Sequence, residues 1–180
     1  MTRWAAVSLL LAALFVSACG GDSDDSSSSD GGGGTTVDAS GEITGDQVCS
    51  LISGEDVGKA LDFDVTEATP QDGGTPGCIY FYDNGREING VALAVLRPTD
   101  VEDNEGKEAF DYVLELNRVF GAGASEEKVS GVGDQAVFMT GKSNRILIVQ
   151  DKARIITLAG QELTKDGAAA IGKKAAANLK

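Results

Sequence analysis

The sequence predicts an α+β fold: an antiparallel sheet with helices packed on one face, in the order helix, strands, helix, strands, helix. Two observations carry that prediction. Short runs rich in β-branched and aromatic residues follow one another with turn residues between them: Cys78-Ile-Tyr-Phe-Tyr82, Ile88 to Leu96, Arg145-Ile-Leu-Ile-Val-Gln150 and Arg154-Ile-Ile-Thr-Leu-Ala159. Between and after them lie stretches whose apolar residues recur at helical spacing, over about 103–119 and from Thr164 onward. Strands joined directly by hairpins pair antiparallel, and helices arriving in separate blocks cover such a sheet.

Taken in order, Ser53-Gly-Glu-Asp56 is a capping signal. The Ser53 hydroxyl can accept from first-turn amides, Asp56 stands at the reciprocating position, and Ile52 and Val57 can close a staple over a short helix ending near Leu61. Phe63 and Val65 alternate with polar neighbours, as in a half-buried strand. Pro70 to Gly77 reads as loop, and Asp83-Asn84-Gly85 as the hairpin turn before the long return strand. In the next helix Phe110, Val113 and Leu114 make the apolar stripe, with Leu116 on its flank and Phe120 at its end. Its early acids Glu102, Asp103 and Glu105 suit the positive end of the helix dipole, and Arg118 the negative end. The last helix sets Ala168, Ile171, Ala175 and Leu179 on one face. A weak twofold echo runs through this order, but the halves do not align as a repeat.

The chain has 180 residues, 28 acidic against 15 basic, a net charge of −13 and no histidine. The acidic excess argues against nucleic-acid binding, which needs basic residues to displace phosphate counterions. Without histidine, Ser-His-Asp, Cys-His and His-metal chemistry is excluded.

Arg3 precedes an apolar run from Trp4 to Val16 that is too short for a membrane span and reads as the core of a signal peptide. Val16-Ser17-Ala18-Cys19 resembles the bacterial lipobox. That resemblance implies cleavage before Cys19 and lipid on Cys19, which would hold the protein on the extracytoplasmic face of the cell membrane; several acyl chains make such anchoring stable. The competing reading is an ordinary secretory signal. The Gly-, Ser- and Asp-rich stretch that follows has little to bury and reads as a flexible, solvated tether with a random-coil span of about 25–28 Å. The expected organisation is signal peptide 1–18, lipidated cysteine and tether 19–45, and one extracytoplasmic domain 46–180.

With Cys19 lipidated, Cys49 and Cys78 are the remaining pair, and a disulfide between them would close a loop of about 30 residues worth ~3–4 kcal/mol. The alternatives are two thiols or a metal site, which would need carboxylates to complete it.

Gly131-Val-Gly133-Asp134-Gln-Ala136 matches a loose dinucleotide loop, but a strand rather than a helix follows it and Asp134 would oppose a pyrophosphate; it reads as a tight structural turn. The acids Asp100, Glu102, Asp103, Glu105 and Glu108 fail the calcium-loop template and read as a solvated helix entry, leaving no metal site. Serines lack a partner base of the usual kind; Lys142, Lys152 and Lys165 are the bases a Ser-Lys pair from distant segments would need. Tyr80 and Tyr82 face one side of their strand and Phe81 the other, so either the tyrosines or the phenylalanine belong to the core. Half-exposed tyrosines would be a candidate binding surface.

Several segments together resemble a family of actinobacterial cell-envelope lipoproteins of unknown function. They are Cys49-Ser-Leu-Ile-Ser-Gly-Glu-Asp-Val-Gly-Lys-Ala-Leu61, Pro76-Gly-Cys78-Ile-Tyr80, Val129-Ser-Gly-Val-Gly-Asp-Gln-Ala136, the last strand pair and the terminal helix. The resemblance covers most of residues 47–179. It implies an exported, lipid-anchored α+β domain, a Cys49–Cys78 bridge and a structural turn at Gly131, Gly133 and Asp134, and it transfers no catalytic residue. The expected function is a non-enzymatic binding or interaction module of the envelope, without cofactor. Its partners would be the membrane, through Cys19, and an envelope protein, a cell-wall component or a small lipid-like molecule. The alternatives are a hydrolase using carboxylates or a Ser-Lys pair, and an inhibitor or accessory subunit of another exported protein.

Overall fold

Seven strands form one sheet in a computed structural model that describes residues 34–38, 42–83, 88–97, 107–120, 125–152 and 154–180. In chain order the elements are α1 (Gly45–Ser50), α2 (Gly54–Leu61), β1 (Val65–Gln71), β2 (Gly77–Asp83), β3 (Ile88–Leu96), α3 (Lys107–Phe120), β4 (Ser125–Lys128), β5 (Gln135–Thr140), β6 (Arg145–Asp151), β7 (Arg154–Gly160) and α4 (Lys165–Asn178). The sheet order is β1-β2-β3-β7-β6-β5-β4, and every neighbouring pair is antiparallel. The α+β fold, the antiparallel sheet and the alternation of helices with strand groups are as the sequence predicts. Asp83 faces Ile88 across the β2–β3 hairpin; the turn residues Asn84 and Gly85 lie outside the described residues.

The helices do not share one face. Leu147 and Val149 of β6, with Ile156 and Leu158 of β7, join a core with residues of α1, α2 and α4. Their neighbours Ile148 and Ile155 turn the other way and pack with Ala109, Phe110, Val113 and Leu114 of α3. Successive strand residues point to opposite faces, so the unbroken apolar run of β6 leaves apolar surface on both sides. A strand of that composition needs cover on each face, and α3 supplies the second. Its expected stripe is correct and Leu116 is exposed on the flank, as is Val119.

Both sheet edges are poor templates for further pairing. β1 carries Pro70, opposite Cys78, so the edge strand continues through residues expected to be loop. At the other edge all four residues of β4 are exposed, three of them charged.

The folded unit begins earlier than the expected boundary at residue 46. Val37 and Ile43 are core residues, and Val37 forms a parallel bridge with Leu179. The Val37 amide donates to the Asn178 carbonyl at 2.8 Å, and the Lys180 amide donates to the Val37 carbonyl at 2.9 Å. Two buried apolar residues and these hydrogen bonds offset part of the entropy cost of ordering residues 34–38 and 42–45. α1 was not foreseen either, although Thr44 and Gln47 complete a capping box at its start. At α2, Ser53 caps as expected: its hydroxyl accepts from the Asp56 amide at 3.2 Å and donates to the Asp56 carboxylate at 2.6 Å. That carboxylate also takes the ammonium of Lys174, which ties α2 to α4.

Candidate functional site

Cys49 of α1 and Cys78 of β2 form a disulfide, with their Cα atoms 5.0 Å apart. The bond fixes α1 against the sheet. Two residues further along β2, parity keeps Tyr80 on the same inward face, and Tyr82 after it. They are 0% and 1% exposed, so the expected tyrosine binding surface is not there. The half-exposed aromatic of this strand is Phe81. The Tyr80 hydroxyl donates to the Ile52 carbonyl at 2.9 Å, and burial pushes its pKa up. The Tyr82 ring stacks on Phe63 with centroids 4.2 Å apart. Its hydroxyl is buried without a hydrogen-bond partner among the described residues, and burial, with the nearby Glu162 charge, raises its pKa.

Gly131, Gly133 and Asp134 form a turn that leads into β5, not into a helix. Gly131 and Gly133 have φ of 76° and 55°, and a Cβ on Gly133 would collide with the Gln150 carbonyl oxygen. Asp134 completes the turn: its amide donates to the Gln150 carbonyl and its carboxylate accepts from the Lys152 amide, each at 2.8 Å. The Asp134 amide is thus used within the protein.

The bases considered for Ser-Lys chemistry do not meet a serine among the described residues. Lys165 bonds Glu127 at 2.7 Å, and Lys142, Lys152 and Ser143 are exposed. Of the acidic cluster, Glu108 is exposed in the first turn of α3, and Asp100, Glu102, Asp103 and Glu105 lie outside the described residues. No group of three or more potential metal ligands occurs among the described residues.

The concave feature with the most chemistry is a cleft of about 680 Å³ at one end of the sheet. It opens where β1 turns into β2, β3 ends and β7 begins, and the segment before α1 closes one side. Ile43, Pro76, Val95 and Leu96 give it apolar walls; Arg97 and Arg154 supply positive charge, and Glu42 and Asp72 negative charge. The segment that closes this side is fastened where it enters α1. Asp72 accepts from the Gly45 amide at 2.6 Å, and a Cβ on Gly45 would come within 2.6 Å of the Gln71 nitrogen.

Val95 pairs with Ile156 and Leu96 with Ile155, where the β3–β7 pairing ends; Arg97 follows the last residue of β3 and Arg154 opens β7. Parity puts Arg154 on the face of Ile156, which belongs to the larger core. Arg154 is 4% exposed, whereas Arg97 is exposed. Both have interactions of their own within the protein. Across the β6–β7 pair Arg154 faces Asp151, whose pKa is raised by burial and lowered in part by Lys152. Neither arginine was singled out from the sequence. A signal existed: in Arg154-Ile-Ile-Thr-Leu, Arg154 has the parity of Ile156 and Leu158, the buried set.

No protein-family model and no curated protein matches the chain. Among solved structures, a GTP binding regulator from Thermotoga maritima is 14% identical, over 69% of this chain and 88% of that one, with a TM-score of 0.37. A likeness that low carries no conclusion about this chain. No helix among the described residues is long and apolar enough to cross a membrane.

Proposed function

We propose that the chain is a lipid-anchored binding or interaction module on the extracytoplasmic face of the cell membrane, related to the actinobacterial envelope lipoproteins that its motifs resemble. The observation that carries this reading is the Cys49–Cys78 disulfide. Disulfides persist in oxidising compartments, and of three cysteines in the chain this pairing leaves Cys19, in its lipobox setting, as the remaining one. The cleft beside Arg97 and Arg154 supports a binding role. Its volume of about 680 Å³ lies within the ~300–1,000 Å³ usual for small-ligand sites.

Fractionation of the native cells tests the address. The wild-type chain is expected in the membrane fraction and Cys19→Ser outside it; a cytosolic wild type contradicts the reading. Affinity capture with the lipidated protein tests the role. A component of the envelope that is retained saturably, and competed off by untagged protein, supports a binding module. Turnover of an envelope substrate by the purified chain would replace it with an enzyme.

A further inference from the structure

We infer that the half of the sheet's second face beside α3 is a docking groove for an amphipathic helix of a partner protein, with bulky apolar residues along one side and basic residues flanking them. This deepens the interaction-module reading and rests on it.

The groove follows from the register. Ile146 of β6 packs with the α3 cluster, and across the ladder the same face continues through Ala159 of β7, Ala92 of β3 and Ile79 of β2. On the rungs to either side stand Ala94 and the Phe81–Gly90 pair. From Ala159 to Ile79 these residues are half-buried, and among the described residues no helix packs on them. On the first face α4 covers β6 and β7 while α1 lies against β1, β2 and β3; on the second face α3 packs on β6. Helices lying side by side are about 8–10 Å apart and strands ~4.8 Å apart. A neighbour of α3 would therefore lie two strands away from β6, along β3.

The composition of that strip asks for cover. An antiparallel face turned to water alternates polar residues with the buried set, yet the α3-side positions Ile79, Phe81, Gly90, Ala92 and Ala94 are all apolar or glycine. Glycine and alanine are also poor strand formers, so three in a row at this parity of β3 do not serve the strand itself. Beneath α3 the same face is built of Ile146, Ile148 and Ile155. A floor of small residues leaves the bulk to whatever lands on it. Ile79 and Phe81 form one wall. The other is Leu116: Arg118 reaches Glu126 of β4, and at about 100° per residue Leu116 falls on the opposite flank of α3, toward β7 and β3, where it is 37% exposed.

Charge selects the occupant. Among the described residues no basic side chain stands on this face of β1, β2, β3 or β7, while Glu67 and Asp83 border it. In a chain of net charge −13 a second copy would bring like charge to an acidic rim. A helix with lysine or arginine beside its apolar stripe gains attraction there as well as burial.

The test is a titration of the mature chain from residue 19 carrying Cys19→Ser, which keeps every described residue and needs no detergent. The probe is a helical peptide of roughly 18 residues, about 27 Å long, with leucines at i, i+3, i+4 and i+7 and lysines beside them. A twin peptide carries glutamate for lysine, and alanine methyl signals are followed by NMR. Saturable shifts at Ala92, Ala94 and Ala159 are expected with the lysine peptide, with Ala168 and Ala175 of the opposite face unmoved. The glutamate peptide should bind at least about tenfold more weakly, because like charges across an interface are costly. Ala92→Lys, at the groove floor, should keep the wild-type melting temperature and weaken the lysine peptide at least about tenfold. Equal binding of the two peptides, shifts at Ala168 and Ala175, no saturation, or an Ala92→Lys protein that binds like the wild type would overturn the assignment. So would a lowered melting temperature for Ala92→Lys, which would mean that the chain covers this face itself. Methyl shifts on concentrating the protein alone would name a second copy as the occupant, and saturation by decanoate an acyl chain; either overturns the partner helix. None of these results changes the fractionation and capture experiments, so this inference can fail while the binding-module reading stands.

Discussion

On one face of the sheet α1, α2 and α4 cover the strands, and ties between distant parts of the chain fasten that cover. The disulfide joins residues 29 apart, the Tyr80 hydroxyl reaches Ile52, Asn178 donates to the Leu51 carbonyl at 2.7 Å, and Lys174 pairs with Asp56. On the other face α3 is the covering helix among the described residues. Its ion pairs there are exposed and close in sequence: Arg118 to Glu126 at 2.6 Å, Arg118 to Glu115 at 3.1 Å and Lys107 to Asp111 at 2.8 Å. Exposed pairs of this kind contribute about 0–1 kcal/mol each, so the α3 face depends on its apolar stripe. The comparison teaches where rigidity is concentrated. The arginine cleft opens on the cross-linked face, and α3 is the element placed to open locally.

The sharpest way to break this comparison is to empty the α3 stripe. Phe110→Ala removes a side chain that is 2% exposed and should cost ~3–5 kcal/mol in denaturant unfolding. Native-state hydrogen exchange should show the loss of protection concentrated in α3. Equal loss in α4 would mean that the two faces open as one unit. Next in size is the staple of the other face. Replacing Cys49 and Cys78 together by alanine should lower stability by ~3–4 kcal/mol, with α1 and the start of β2 exchanging fastest.

Much of the contrast could be read in the sequence, and the exceptions have physical causes. The α4 stripe Ala168, Ile171, Ala175 and Leu179 is buried as its spacing demands, and so are Phe110, Val113 and Leu114 of α3. The side of the sheet that a helix takes is not in its own spacing. It depends on strand parity, and the double-sided apolar character of β6 held that information. β1-β2-β3 and β5-β6-β7 run outward from the β3–β7 pair in matching order, and β4 has no counterpart. A twofold axis normal to the sheet would place α3 and α4 on one face, and they lie on opposite faces, so the echo in the sequence stops at the helices. Pairing partners far apart in sequence leave no local signal, as with Val37 against Leu179. The cleft leaves none for the same reason: Arg97 and Arg154 reach it from the end of one strand and the start of another. The disulfide and the Gly131–Asp134 turn were legible because each rests on local chemistry or on simple cysteine arithmetic.

A smaller effect sharpens the account of the turn at the end of the cross-linked core. Gly133→Ala forces a Cβ onto a left-handed residue against the Gln150 carbonyl and should cost about 1–3 kcal/mol, seen as a lower melting temperature.

The smallest effect compares the ion pairs of the two faces. Lys174, through its hydrogen bond, holds the Asp56 carboxyl below its usual range, and Arg118 does the same for Glu126. A carboxyl whose folded pKa is depressed adds stability above its unfolded pKa, and that stability fades as pH falls through the folded value. Lys174→Met should therefore lower stability slightly at neutral pH, by under ~1 kcal/mol, and the gap to wild type should close in acid below the ordinary carboxylate range. Arg118→Met should behave alike. A gap that widens in acid would contradict both assignments.

The most direct test of the whole account is mass spectrometry of the protein purified from its own membranes. A mature N-terminus at Cys19 carrying acyl chains, together with a disulfide-linked peptide containing Cys49 and Cys78, is the predicted result. An unmodified Cys19, or free thiols at Cys49 and Cys78, would contradict it.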